Sequence, residues 1–125
     1  MRILIYSHDT YGLGNIRRMT AIAEALVEGN SQTNVLIVTG SPMLHAFRLS
    51  KGIDYVKLPC LNRTDVGQYD VKHLDVDVES VRRMRASIIA SAAVDFDPDL
   101  VLVDKKPLGV MRELEPMLEI LSRLP

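Results

Sequence analysis

A chain of 125 residues has room for one domain with one core, and its 47% hydrophobic and 25% charged residues are typical of a globular protein. The net charge of -1 provides no basic excess, which argues against nucleic acid as a partner. With no apolar run near the roughly 18 residues of a membrane span, no cleavable leader and one cysteine, Cys60, we expect a cytoplasmic protein without a membrane span.

The chain opens with a strand, a loop and a helix. The apolar run from Arg2 to Tyr6 predicts a buried parallel strand, and the segment from Asn15 onward predicts an amphipathic helix. The loop between them lies where open α/β sheets bind ligands. Gly12 and Gly14 let the backbone approach a ligand, and the first amides of the helix carry a partial positive charge that suits phosphate, carboxylate or hydroxyl groups.

The following segments alternate between helix and strand. Gly29 ends the first helix, the aliphatic run from Asn34 to Thr39 predicts a second strand, a short helix is expected near Met43 to Ser50, and Ile53 to Leu58 predicts a third strand. The first helix is predicted from apolar residues at helical spacing: Ile16, Met19, Ile22, Ala23, Leu26 and Val27.

The regular pattern stops between Pro59 and Val78. These residues have mixed polarity and no clear period, which predicts a long loop that contacts an acceptor or a partner. A second long helix is expected to begin near Glu79, and Leu100 to Val103 predicts a fourth strand. The last helix is expected from about Met111 to Leu124. In the second helix we place four residues on the buried face, Val81, Met84, Ile88 and Ala92, and three on an exposed face, Arg82, Arg83 and Arg85.

Alternating strands and helices predict an α/β fold with a doubly wound, mostly parallel sheet in the order 3-2-1-4, resembling half of a Rossmann-like fold. In that order the first and fourth strands are neighbours. Asp104, just after the fourth strand, would then lie beside His8 and Asp9, which follow the first. These three residues are candidate acids and bases, with capping of a loop or helix as the alternative role for the carboxylates.

Several familiar motifs fail. The dinucleotide pattern GxGxxG would need glycine where Arg17 stands, and no phosphate-binding P-loop sequence occurs. Asp75 and Asp77 match a DxD pattern, but Asp77 or Ser80 is better interpreted as a helix cap. The alternating aspartates before the fourth strand lack the glycine and the final glutamate of a calcium loop. We therefore predict no metal site and no cofactor.

Four segments together carry a family resemblance: SHDTYGLGNIRRMTAIAEAL, GQY, PDLVLVDKKPLG and RELEPMLEIL. They resemble glycosyltransferases of the GT-B superfamily related to the MurG group, whose usual signature reads GLGH followed by an Arg-rich helix. The resemblance covers nearly the whole chain. In that superfamily two doubly wound domains face each other across a cleft, the amino-terminal one binding acceptor and the carboxy-terminal one binding the nucleotide-sugar donor.

The resemblance implies that residues 1–125 are one amino-terminal, acceptor-side domain, truncated and without the donor-binding domain. It implies transfer of a sugar, with inversion, from a nucleotide-sugar to an acceptor hydroxyl, and no activity without a donor-binding half. His8, Asp9 or Asp104 would take the hydroxyl proton. The residues expected to bind acceptor or a donor phosphate are Gly12, Leu13, Gly14, Asn15 and Arg18.

One departure from the family pattern bears on catalysis. The family histidine at the helix start is Asn15 here, and an amide does not take a proton near neutral pH. The alternative to an enzyme is therefore a binding or scaffold module of the same fold. In either case we expect association with a second copy or a donor-half partner, because the sheet is expected to end at the fourth strand. That strand or the last helix would then expose apolar surface such as Leu118, Ile120 and Leu121.

Overall fold

The computed structural model describes residues 1–7, 14–42, 48–65 and 68–124. In these ranges the chain forms strands β1 to β6 and helices α1 to α3. Their bounds are β1 Arg2–Ser7, α1 Gly14–Gly29, β2 Asn34–Thr39, β3 Ile53–Lys57, β4 Leu61–Asp65, β5 Gln68–Val71, α2 Val78–Phe96, β6 Leu100–Val103 and α3 Glu115–Arg123.

The main sheet is parallel and has the order β3-β2-β1-β6. The fourth strand of the sequence analysis is β6, so the α/β, doubly wound prediction and its strand order are confirmed. Tyr6 of β1 pairs with Val38 of β2 on one side and with Val103 of β6 on the other. Because these strands are parallel and in register, their carboxyl ends reach the same edge of the sheet.

Helices cover both faces of this sheet. On one face, residues of α1 pack on Ile3, Ile5 and their neighbours in β2, as the apolar stripe predicted, although Ile22 is 37% exposed. On the other face, α2 and α3 pack over Leu4 and Tyr6. The sheet core is thus divided between two layers, with β1 buried in both.

The segment between Pro59 and Val78 is not one irregular loop, as predicted, but contains the antiparallel pair β4 and β5. Strand β4 is mostly polar and lacks the apolar alternation of a half-buried strand, whereas β5 does alternate polar and apolar residues but over only four positions. Leu61 attaches the pair to the domain by packing with Val81 and Val110.

The buried face of α2 differs from the prediction. Met84 is 38% exposed, whereas Arg85, expected on an exposed face, is fully buried. Its position follows from spacing, because Arg85 lies four residues after Val81 and four before Ile89, which are both buried. Arg82 and Arg83 lie toward the surface as expected, with Arg82 Nε donating to the Met111 carbonyl oxygen at 2.8 Å.

Arg85 forms a buried network with Glu113 and Tyr6. Its Nε and Nη2 donate to the two carboxylate oxygens of Glu113 at 2.7 and 2.8 Å, and its Nη1 donates to the Pro59 carbonyl at 2.7 Å. The Tyr6 hydroxyl donates to Glu113 at 2.5 Å and accepts from the Val110 amide at 3.0 Å. The network therefore joins β1, α2, the connection between β3 and β4, and the segment before α3.

Burial raises the pKa of the Tyr6 phenol well above its ordinary value of 10.0, and the Glu113 carboxylate raises it further. The phenol therefore stays protonated and remains a hydrogen-bond donor at neutral pH. Since the raised pKa favours the folded state only while the phenol keeps its proton, this contribution to stability is complete below pH 10.0 and is lost as the pH rises beyond it.

The last helix begins later than predicted. A 3₁₀ turn occupies Val110–Arg112, and α3 starts only at Glu115, because Met111 and Arg112 have positive φ angles of 51° and 59° that are incompatible with a continuous α-helix. The expected apolar surface on α3 is also smaller than predicted: Leu118 and Leu121 pack partly against the core, and Ile120 is 38% exposed.

The short helix expected near Met43 to Ser50 falls mainly on residues 43–47, which lie outside the described residues, and residues 48–50 are not helical.

The conformation and close packing of the segment between β6 and α3 require glycine at position 109. Its φ is +77°, and a Cβ there would come within 2.8 Å of Leu114 Cγ and 3.1 Å of the Tyr6 hydroxyl. We predict that Gly109→Ala lowers the free energy of unfolding by about 2 to 4 kcal/mol, because strain and overpacking add. Gly29→Ala is the control, since a Cβ there meets nothing within 4 Å. Equal urea midpoints for the two variants would show that position 109 accepts a Cβ atom as readily as position 29.

Candidate functional site at the carboxyl edge of the sheet

Buried polar residues stand where three neighbouring strands end. Ser7 ends β1, Thr39 ends β2, and Asp104 follows β6. Ser7 pairs with Thr39 in the sheet, and the Asp104 amide donates to the Tyr6 carbonyl oxygen at 3.0 Å. All three residues are less than one tenth exposed. The edge at which ligands bind in open α/β sheets is thus lined with polar groups that belong to adjacent strands.

Asp104 is held by a cation from α1. Arg18 Nη2 contacts Asp104 Oδ1 at 2.8 Å, and the two side chains are 55% and 6% exposed. The carboxylate is therefore buried while the guanidinium opposite it reaches solvent. This contact also fixes the first two turns of α1 beside the end of β6, so the two strand exits named in the sequence analysis lie at one edge.

Two buried polar atoms at this edge have no hydrogen-bond partner among the residues that the structure describes. They are Ser7 Oγ and Asp104 Oδ2. A buried polar atom that loses its water without gaining a hydrogen bond is costly, so native proteins keep few of them outside functional positions. Here a hydroxyl and a carboxylate oxygen, on adjacent strands, both have capacity for a ligand hydroxyl.

The start of α1 adds donors to the same edge. The helix begins at Gly14, and Arg18 lies one turn further along. The amides of the first turn have no partner within the helix and carry the positive end of the helix dipole. A ligand near Asp104 would therefore meet backbone donors and the Arg18 guanidinium as well as acceptors.

The segment after Asp104 borders a separate cavity of about 470 Å³. Lys105, the first residue of this segment, has a φ of 64°. The cavity is lined by Tyr69, Lys106, Pro107, Leu108, Gly109, Met111 and Arg112. The lining is mostly apolar with two cationic side chains, and it begins two residues after Asp104.

The predicted site residues divide into two groups. Arg18 and Asp104 are brought together at the edge described above, and Gly14 and Asn15 lie in the first turn of the helix that carries Arg18. Four others lie outside the described residues: His8, Asp9, Gly12 and Leu13.

Asp77 caps α2, as the sequence suggested. Its carboxylate accepts from the Ser80 amide at 3.0 Å and from the Ser80 hydroxyl at 2.6 Å, and these bonds lower the pKa of Asp77. No group of three or more histidine, cysteine or carboxylate side chains placed to hold a metal ion occurs in the described part of the chain. Within the same part, no helix is both long and apolar enough to cross a membrane.

Ser7 and Thr39 are not among the site residues predicted from the sequence. Each is a hydroxyl residue that ends an otherwise aliphatic strand, and Thr39 Oγ1 accepts from the Ser41 amide at 3.1 Å. A polar residue as the last member of a buried parallel strand is the signal that would have identified both.

Comparison of the chain with models of protein families, with curated proteins and with solved structures gave no match. The fold and the site therefore define a class only: a Rossmann-like α/β domain with a polar site at the carboxyl edge of its parallel sheet.

The pairing of Arg18 with a buried carboxylate predicts unequal roles for two adjacent arginines. Arg18→Met leaves Asp104 without its cation and should lower the free energy of unfolding by about 1 kcal/mol or more. Arg17→Met, at an exposed position of the same helix, should change it by less than about 0.5 kcal/mol. Urea denaturation of both variants compares the two losses. Indistinguishable values would contradict a stabilising contact between Arg18 and Asp104.

Proposed function

We propose that this chain is the acceptor-side domain of a GT-B glycosyltransferase related to the MurG group, and that it transfers a sugar from a nucleotide-sugar to an acceptor hydroxyl together with a donor-binding half. Two things support the proposal: the segments that resemble this family, and the Rossmann-like sheet that carries a polar site at its carboxyl edge. The observation that carries it is the buried Asp104 carboxylate, with one oxygen on Arg18 and the other without a hydrogen bond to any described residue.

The chemistry would use Asp104 as the base. The acceptor hydroxyl lies against Oδ2, which takes its proton as the hydroxyl oxygen attacks the anomeric carbon of the donor sugar. A new glycosidic bond forms, the bond between the anomeric carbon and the phosphate oxygen breaks, and the nucleotide leaves. His8 and Asp9, just beyond β1, are the other candidate bases in the same region of the sequence.

Binding of the acceptor would use the groups around that carboxylate. The Ser7 hydroxyl and the first amides of α1 supply hydrogen bonds, and Gly12, Leu13, Gly14, Asn15 and Arg18 form the proposed binding set. A weak oxygen nucleophile reacts only when it is held against the donor, so positioning is the main contribution of this domain. The proposal assigns the donor-binding surface to a second domain or chain.

Asn15 supports a second candidate function, a sugar-binding or scaffold module without catalysis, since the family histidine at this position is replaced by an amide. The two functions predict different effects of Asn15→His on the rate of sugar transfer when a donor half is present. If Asp104 is the base, the substitution changes the transfer rate little. If catalysis has been lost with the histidine, the substitution restores it.

Acceptor binding can be tested on the chain alone. We expect methyl glycosides of common hexoses and N-acetylhexosamines, in a nuclear magnetic resonance titration, to shift the amides of Ser7, Gly14, Arg18 and Asp104. Asp104→Asn should weaken the tightest of these by about tenfold, because one charged acceptor is lost. Asp95→Asn, at an exposed position, should leave binding unchanged.

Two results would contradict the proposal. Amide shifts elsewhere on the domain, or equal glycoside affinities for Asp104→Asn and Asp95→Asn, would show that acceptor does not bind at Asp104. Sugar transfer from nucleotide-sugars by the chain alone would instead refute the dependence on a donor half, while leaving the site intact.

A further inference from the structure

The two edges of the main sheet are protected differently. Strand β3, at one edge, has the sequence IDYVK and exposes the charged residues Asp54 and Lys57. Strand β6, at the other edge, has the sequence LVLV and contains no charge and no proline. Charges and prolines on an edge strand prevent pairing with another chain. One edge of this sheet is thus blocked, and the other is suited to pairing.

Strand β6 is also incompletely covered. Leu100 pairs with Ile3 and therefore lies on the α1 face of the sheet, where it is 43% exposed. Leu102, on the same face, packs only partly against the core beneath α1. The backbone groups of β6 that point away from β1 have no strand beside them in the described part of the chain. The edge therefore offers both hydrogen bonds and apolar surface.

The charges at the two ends of β6 have opposite signs. Exposed aspartates, Asp97 and Asp99, precede the strand, and exposed lysines, Lys105 and Lys106, follow it. The acidic end also holds Arg2, whose amide donates to Asp99 Oδ2 at 2.8 Å and whose guanidinium donates to the Phe96 carbonyl oxygen, so the two aspartates there face one cation. A second copy that runs antiparallel would bring the acidic end of each β6 to the basic end of the other. A parallel copy would instead place like charges together, which is unfavourable between neighbouring strands.

We propose that β6 is a self-association surface at which two copies of this chain pair antiparallel, related by a two-fold axis perpendicular to the sheet. The pairing extends each four-stranded sheet into the other and closes both open edges, so assembly stops at the dimer. With Leu102 on the axis, Lys105 lies opposite the second copy's Asp99. This inference does not depend on the proposed function.

The test is the oligomeric state of the 125-residue chain over a wide range of micromolar concentrations, measured by sedimentation equilibrium. We expect a reversible dimer that weakens as salt is raised, because its charge pairs are exposed. The double variant Lys105→Glu with Lys106→Glu should raise the dissociation constant about tenfold or more, since attractive pairs become repulsive. Leu100→Lys should also weaken the dimer, because it places a charge on the apolar edge strand.

A double variant that changes the same net charge away from β6, Lys51→Glu with Lys72→Glu, is the control and should dimerise like the unmodified chain. Circular dichroism establishes that each variant is folded. A chain that stays monomeric at all concentrations would overturn the proposal and leave β6 to a strand of another polypeptide. Open-ended assembly, or a dimer unaffected by both β6 variants, would overturn it as well.

Discussion

A buried ion pair between Arg85 and Glu113 connects four parts of this domain. Both side chains are fully buried, so each has lost its water, and removal of either partner from such a pair typically costs about 3 to 5 kcal/mol. The charges are accommodated because the guanidinium makes hydrogen bonds to both Glu113 oxygens and to the Pro59 carbonyl, while the carboxylate also receives the Tyr6 hydroxyl. Four parts of the fold meet at this one pair.

Tyr6 connects this network to the candidate site through hydrogen bonds. Its hydroxyl accepts from the Val110 amide, and its carbonyl oxygen accepts from the Asp104 amide, so both ends of the segment that follows β6 are attached to one residue of β1. The first attachment lies in the core beneath α2 and α3, and the second lies at the edge where Arg18 meets Asp104. The position of the carboxylate is thus linked to a charge pair on the other face of the sheet.

The parallel sheet could be predicted because long aliphatic strands alternate with amphipathic helices, and that periodicity also placed Asp104 beside the exit of β1. Arg85 was misplaced because a charged residue was assigned to the surface by type, although its spacing from Val81 and Ile89 put it on the buried stripe. Strand β4 has no apolar period, and the alternation in β5 extends over only four residues. The contact between Arg18 and Asp104 joins residues 86 positions apart, which no local pattern encodes.

We infer that the Arg85 and Glu113 pair holds the segment between Asp104 and Val110 in place. Amide hydrogen exchange in Glu113→Gln measures this effect, with exposed Glu119→Gln as the control. The amides of Asp104 and Val110 should lose about tenfold or more of their protection, while Val35, bonded in β2 far from the pair, should keep its own. Unchanged protection at Asp104 and Val110 would show that the pair does not hold this segment.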